Sequence, residues 1–187
     1  ALLMLARACE VRDEDTGTHV LRINYYSMAL AKELGLEESF IKELGPSSIL
    51  HDVGKIHIPD YILKKQGYFT NKEREEMKKH PLYGDRILGD SEFFHLAKEI
   101  ARCHHENFDG TGYPDGLKGE AIPISARIVR LADTYDALVS KRCYKSAWSD
   151  QQAYNQIVNH SGTYFDPLVV EAFKRLFEKG VIQEIKN

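Results

Sequence analysis

This chain of 187 residues has few cysteines and no long apolar run, and each scarcity excludes a class of protein. Its three cysteines, Cys9, Cys103 and Cys143, are odd in number and lack framework spacing, which predicts a reducing compartment and hence the cytoplasm. No apolar run is long enough to span a bilayer, and no signal-peptide pattern opens the chain. A formal net charge of −3 argues against a surface for polymeric nucleic acid.

Helical patterns fill most of the chain, and period-two alternation is never sustained. Apolar residues recur at helical spacing over 20–34 and 37–50, and capping-box patterns at Thr70 and Ser149 each begin another helix. Further helices are predicted over 82–88, 91–105 and 123–139 and from Asp166 to Gly180, with an irregular stretch over 54–70. The prediction is one all-α domain covering residues 1–187. Because the chain starts within a helical pattern, we expect a longer protein with a regulatory domain ahead of it.

Histidines and acidic residues fall beside predicted helix ends and loops in five separate segments. A buried imidazole next to a carboxylate, as at His51-Asp52, needs a partner, and a first-row divalent metal is a common one. Zinc fingers take their ligands in close pairs, so this scattered set does not predict one. Eight donors exceed the needs of one ion and favour two or three ions, an arrangement that serves displacement at phosphorus. The eight candidate ligands are Asp15, His19, His51, Asp52, His80, His104, His105 and Asp133.

Five motifs occur in this order along the chain: DEDTGTH at 13–19, HDVGKI at 51–56, HP at 80–81, HHE at 104–106 and DGTGYP at 109–114. Together they resemble the HD-GYP domain, a branch of the HD phosphohydrolase superfamily. The resemblance extends from residue 12 to about 173, and a sixth and seventh motif continue it. That family hydrolyses the bacterial second messenger cyclic di-GMP, usually to the linear dinucleotide pGpG and sometimes on to GMP. The sixth and seventh motifs are AD at 132–133 and DALVSKRCYK at 136–145.

The resemblance implies a helical domain with a metal cluster in the core of its bundle. It makes the eight candidates metal ligands, with Asp52 bridging two ions. At position 15 the family often has glutamate, associated with a third ion; the shorter Asp15 favours two ions. Iron or manganese is the expected metal, with zinc and nickel as alternatives.

The resemblance also implies that Asp52 and Lys55 act in catalysis, with the Lys55 ammonium neutralising charge on the phosphoryl oxygens. Tyr113 offers a flat ring for guanine, and Gly112 keeps its loop close to the ligand. Asp136 is expected either to contact guanine or to support a metal ligand. The implied substrate contacts are Gly112, Tyr113, Asp136, Arg142 and Lys145.

Other interpretations stay open at this point. An HD hydrolase acting on another cyclic dinucleotide has the same motifs, and so does a metal-containing module that binds a nucleotide or a partner without turnover. His104 and His105 cannot both face one way on a regular helix, so both are ligands only if the helix ends there. His57, His95 and His160 are predicted non-ligands, and Cys103 a buried apolar residue. A homodimer and partner signalling proteins are further expectations.

Overall fold

A computed structural model describes residues 3, 4, 6, 18–140 and 147–187 of the chain. Within these ranges the molecule is built from helices and has no β-strand, which confirms the predicted all-α fold. None of the helices there is both long and apolar enough to cross a membrane. The α-helices are α1 (His19–Glu33), α2 (Glu38–Ser48), α3 (Asp60–Leu63), α4 (Asn71–Met77), α5 (His80–Leu88), α6 (His95–Cys103), α7 (Ile124–Val139), α8 (Asp150–Asn159), α9 (Pro167–Glu178) and α10 (Val181–Lys186).

Local sequence signals explain where several helices begin. Thr70 and Ser149 form the predicted capping boxes: each hydroxyl accepts from a backbone N–H three residues on, and the Glu73 or Gln152 side chain bonds back. Asp166 caps α9 through the N–H of Leu168, and a proline follows it at the first helical position. The structure confirms these predicted helix starts. They could be predicted because the residues that form each cap are close together in sequence.

Three boundaries differ from the prediction. The stretch expected to be irregular contains a 3₁₀ helix, Val53–His57, and the short α3. The helix expected over 91–105 is divided into a 3₁₀ turn, Glu92–Phe94, and α6, which ends at Cys103. The chain turns helical again after Gly180, as α10. The 3₁₀ helix Val53–His57 packs against α5, and α10 packs against α1, contacts that apolar spacing along the sequence does not specify.

The main core packs α1 against α7 and α9, around the fully buried rings of Tyr26, Tyr135 and Phe173. A second apolar cluster includes Val20, Leu50, Val53 and Ala101 and lies where α1, α2, the 3₁₀ helix and α6 meet. The candidate ligand histidines lie on or next to the same helices. Packing of the main core and of the second apolar cluster therefore fixes their positions.

Candidate metal centre

Seven of the eight candidate ligands lie in two neighbouring groups. Within each group the potential donor atoms all lie within 4.8 Å of one another. Asp15 falls outside the residues that the structure describes. The first group is Asp52, His80, His104 and His105, and the second is His19, His51 and Asp133.

Helix ends deliver most of these side chains. His19 and His80 are the first residues of α1 and α5, and His51 and Asp52 occupy the turn after α2. The last helical residue of α6 is Cys103 and His104 is its C-cap, and the imidazoles of both His104 and His105 reach the first group. Their ring centroids are 4.2 Å apart. The expectation that both histidines need a helix end at this point thus agrees with the backbone.

A close approach of two backbones brings Asp52 to His80. The 3₁₀ helix that follows Asp52 crosses α5 at Gly54, where an added Cβ would overlap the carbonyl oxygen of His80 and the amide nitrogen of Gly84. Only a residue without a side chain permits this contact. Gly54, in the motif at 51–56, therefore positions the centre without contributing a donor.

Three imidazoles are oriented by main-chain carbonyls. Nδ1 of His51 lies 2.8 Å from Ser48 O, Nδ1 of His80 lies 2.7 Å from Met77 O, and Nδ1 of His104 lies 3.0 Å from Ala101 O. A carbonyl oxygen only accepts hydrogen bonds, so each Nδ1 carries the proton and donates it. The Nε2 atoms therefore turn their lone pairs toward the centre, as metal-ligating histidines do.

The first group fits a divalent metal ion. Nε2 of His80 and Nε2 of His104 are 3.4 Å apart, and Oδ1 of Asp52 lies 3.2 Å and 3.5 Å from them. Two nitrogens bound at about 2.1 Å to one tetrahedral ion are about 3.4 Å apart. Three electron-pair donors this close, buried and facing one another, repel unless a cation lies between them. The side chains present can therefore hold a metal.

Asp52 also faces the second group. Its Oδ2 is 3.3 Å from Nε2 of His51 and 2.9 Å from the ammonium of Lys55. Burial opposes the charge of this carboxylate, but Lys55 and His51 hold the pKa of Asp52 well below its usual value. The group is thus an anion at neutral pH with one oxygen turned toward each set of histidines.

In the second group, Nε2 of His19 lies 3.5 Å and Nε2 of His51 lies 3.9 Å from Oδ1 of Asp133. Burial acts against the Asp133 charge as well, yet His51 and His19 lower the pKa of Asp133 overall. Burial lowers the pKa of His104, and it brings the pKa of His105 well below that of a free imidazole. Neutral imidazoles and ionised carboxylates are the forms that bind metals.

Asp136 supports His19 and is almost fully buried. Its Oδ2 lies 2.7 Å from Nδ1 of His19, and Arg22 donates to both carboxylate oxygens at 2.6 Å and 2.9 Å. With 1% of its surface exposed and both oxygens engaged, Asp136 is closed to a nucleotide in this structure. The arrangement corrects the expectation of a substrate contact in favour of the alternative one, a residue that holds a metal ligand.

The loop bearing Tyr113 covers one side of the centre. The Tyr113 ring stacks on the imidazole of His105 with centroids 4.8 Å apart, and the Lys78 ammonium lies 5.8 Å from the Tyr113 ring centroid. Burial raises the pKa of Tyr113 to about 12, so the phenol keeps its proton. At Gly112 an added Cβ would lie 2.5 Å from the carbonyl oxygen of His105 and 2.6 Å from Cα of Glu106. Gly112 thus allows the loop to pack on the histidine pair itself.

Sequence reasoning gave no role to two charged residues beside this loop. The buried carboxylate of Glu106 accepts from the backbone N–H groups of Asp115 and Leu117 and so ties the loop down. Arg130 lies one turn before Asp133 on α7 and donates to Oδ1 of Asn107 at 2.9 Å. Two features of the sequence point to these residues. Glu106 directly follows the histidine pair, and Arg130 precedes Asp133 by three residues, on the same face of a helix.

The remaining predicted residues fall elsewhere. Arg142 and Lys145, predicted to contact the substrate, lie outside the described residues, as do Cys9 and Cys143. Cys103 is buried in a small apolar cluster, and burial raises its pKa to about 12, as expected of a packing residue. Neither group of donors includes His57, His95 or His160.

This chain is similar to known proteins over most of its length. Residues 4–169 match the family model described as HD domain. A cyclic di-GMP phosphodiesterase of Vibrio cholerae is 48% identical over 97% of this chain and 40% of its own length. A 3'3'-cGAMP-specific phosphodiesterase 2 of the same organism is 46% identical over 89% of this chain and 32% of its own length. The chain thus spans less than half the length of these curated relatives.

Among solved structures, a cyclic GMP-AMP specific phosphodiesterase of Vibrio cholerae superposes with a TM-score of 0.77. The match covers all of this chain and 50% of the other, with 23% sequence identity. The similarity establishes the fold, which is the helical arrangement described above.

Proposed function

The chain belongs to the HD domain family, and we propose that it is a metal-dependent phosphodiesterase that hydrolyses cyclic di-GMP to linear pGpG. The observation that carries this proposal is the convergence of seven donors from five segments into two adjoining groups. A module that had lost turnover would be expected to lose ligands, whereas all seven candidate ligands among the described residues are present in the two groups. The complete set of described donors therefore supports an enzyme over a binding module.

Two ions, iron or manganese, are the proposed occupants, one for each donor group. Asp52 is the proposed bridge, since Oδ1 faces His80 and His104 and Oδ2 faces His51. When bound, such ions activate water and withdraw negative charge from phosphoryl oxygens. Mixed imidazole and carboxylate donors suit either metal, and also zinc or nickel.

The side chains of the protein supply orientation and charge. Lys55, held by Asp52 and partly exposed, places an ammonium beside the centre, where it can neutralise charge that develops on a phosphate. Asp136 and Arg22 fix the His19 ring, and Glu106 fixes the loop of Tyr113. Fixed donors of this kind cost no reorganisation when the phosphodiester reacts.

A second candidate substrate is 3'3'-cGAMP, because a phosphodiesterase named for that nucleotide is 46% identical to this chain. Both molecules carry the same phosphodiester linkage and differ in one base. The predicted phosphate contacts Arg142 and Lys145 suit either nucleotide. Discrimination therefore depends on groups that contact the bases.

The test is anaerobic purification with iron or manganese, elemental analysis, and side-by-side assays on cyclic di-GMP and 3'3'-cGAMP. We expect about two metal ions per chain and formation of pGpG, with GMP measured as the product of a second cleavage. Faster turnover of 3'3'-cGAMP than of cyclic di-GMP would show that 3'3'-cGAMP is the preferred substrate. Metal-loaded protein that cleaves neither nucleotide would leave the binding module as the correct interpretation.

We further propose that residues 1–187 are one catalytic domain of a longer signalling protein that works in the cytoplasm. The greater length of the matched relatives and the low cysteine content support this. A regulatory domain ahead of the catalytic one, a homodimer and partner signalling proteins are part of the same proposal. Size-exclusion chromatography with light scattering measures the oligomeric state.

A further inference from the structure

Among the described residues, Arg130 differs from two other partly buried arginines in having no acidic partner within 4 Å. Arg22, with 17% of its side chain exposed, pairs with Asp136, and Arg127, with 12% exposed, pairs with Asp166. Among the described residues no carboxylate oxygen lies within 4 Å of the Arg130 guanidinium. Its Nη2 donates to Oδ1 of Asn107, whereas its buried Nε has no hydrogen-bond acceptor there.

The position of Arg130 links it to both donor groups. It lies one turn before Asp133 on α7, and Asn107, its partner, comes two residues after His105. Its charge acts on the Tyr113 phenol, where it partly opposes the rise in the pKa of Tyr113 that burial causes. The guanidinium carbon is also 6.0 Å from the ring centroid of Phe165. Arg130 therefore lies under the loop that carries Tyr113, beside the metal centre.

A desolvated guanidinium without an anion is costly, and burial lowers the pKa of Arg130. The charge of Asp133 acts on Arg130 from a distance. A metal ion bound to Asp133 would neutralise much of that charge. A phosphate oxygen supplies what is missing, namely a strong acceptor with full negative charge and a geometry that suits guanidinium. The neutral carbonyl of Asn107 cannot provide this.

We infer that Arg130 is a further substrate-binding residue, whose guanidinium binds a phosphate oxygen of the nucleotide beside the metal centre. The inference rests on the proposed function for the identity of the nucleotide. It adds a cation on α7 to the three predicted from the motifs, which are Lys55, Arg142 and Lys145. The alternative is that Arg130 only anchors Asn107 and the loop.

The experiment compares Arg130→Gln and Arg130→Lys with Asn107→Ala, which removes the neutral partner and keeps the charge. Arg175→Gln, which breaks an exposed pair with Glu33, is the matched control for loss of one positive charge. Equilibrium binding of cyclic di-GMP to metal-free protein and KM with manganese are both measured. Metal content and melting temperature are followed for every variant.

Arg130→Gln is expected to weaken nucleotide binding about tenfold or more and to raise KM similarly, with unchanged metal content. Arg130→Lys should retain part of the binding, and Asn107→Ala and Arg175→Gln most of it. The inference is wrong if Arg130→Gln binds like the wild type, or if Asn107→Ala reproduces its loss. Wild-type protein that binds through Arg130 but cleaves nothing would overturn the proposed enzyme alone, and absence of both binding and turnover would overturn both.

Discussion

The ammonium of Lys55 lies 2.9 Å from Oδ2 of Asp52, while Oδ1 of the same carboxylate faces His80 and His104. The two oxygens thus have different surroundings: Oδ2 lies near the Lys55 ammonium and Nε2 of His51, whereas Oδ1 faces two imidazoles. This division separates the roles of the two residues, because removing Asp52 takes away donors and removing Lys55 takes away only a charge.

Asp52→Ala is expected to lose metal from both donor groups and to abolish hydrolysis. The substitution removes the only carboxylate of the first group among the described residues. The three remaining imidazoles are neutral and bind a cation less tightly without that negative charge. Elemental analysis after anaerobic purification measures the loss. A variant that retains two ions per chain would show that Asp52 does not bridge them.

Lys55→Ala is expected to keep its metal and to hydrolyse cyclic di-GMP about 10²-fold more slowly, because the charge that it contributes matters most in the transition state. The matched control is Lys64→Ala, which breaks an exposed pair with Asp60. Equal loss of metal in the Asp52 and Lys55 variants would instead assign Lys55 a structural role.

Asp136→Asn keeps the shape of the side chain that holds His19 and weakens its hold on the Nδ1 proton. Metal affinity should fall about 10- to 100-fold, which is typical when the outer partner of a ligating histidine is changed. Competition with a chelator measures this affinity. Asp90→Asn, which alters an exposed pair with Lys98, is the control and should bind metal like the wild type.

Gly112→Ala should disturb the loop of Tyr113, because the new methyl group would overlap the backbone at 105–107. Activity and melting temperature should both fall, with the metal content less affected. Gly119→Ala is the control: it has open space but a left-handed backbone (φ 59°), which costs about 1 kcal/mol. If the two variants behaved alike, backbone conformation rather than close packing would explain the effect.

Metal-free protein should lose stability as the pH falls below about 6.5. In the unfolded chain His104 and His105 gain protons near that pH, whereas burial lowers the pKa of both in the folded state. The unfolded state then binds more protons, which costs up to about 1.4 kcal/mol per pH unit for each histidine. The lowered pKa values of Asp52 and Asp133 contribute at pH values above about 4 and do not offset this loss.

Thermal melts between pH 7.5 and 5.5 measure the effect. His105→Gln should have a shallower dependence of melting temperature on pH, because one of the two titrating groups is gone. A melting temperature of the wild type that stays constant over this range would contradict the prediction.

Local signals were enough to predict much of this protein. The capping boxes at Thr70 and Ser149 and the Asp166-Pro167 start depend on residues within three positions of each other. The motif spacing likewise predicted the seven described donors that the fold assembles. The family match confirms that the chain belongs to the HD superfamily.

Contacts between distant residues could not be predicted in this way. The role of Asp136 depends on His19, 117 positions earlier, and the stacking of Tyr113 depends on where α6 ends. The lack of an acidic partner for Arg130 among the described residues likewise depends on how α7 packs against the loop at Asn107. Each of these depends on packing between helices, which a single stretch of sequence does not specify.

The donors of the centre come from five segments that run from the start of α1 to the middle of α7. An ion held there therefore works as a reversible crosslink between parts of the chain more than a hundred residues apart. Every tenfold excess of ion over its dissociation constant adds about 1.4 kcal/mol to the free energy of unfolding. Metal supply in the cell would thus control how long the domain survives proteolysis, in addition to its catalytic rate.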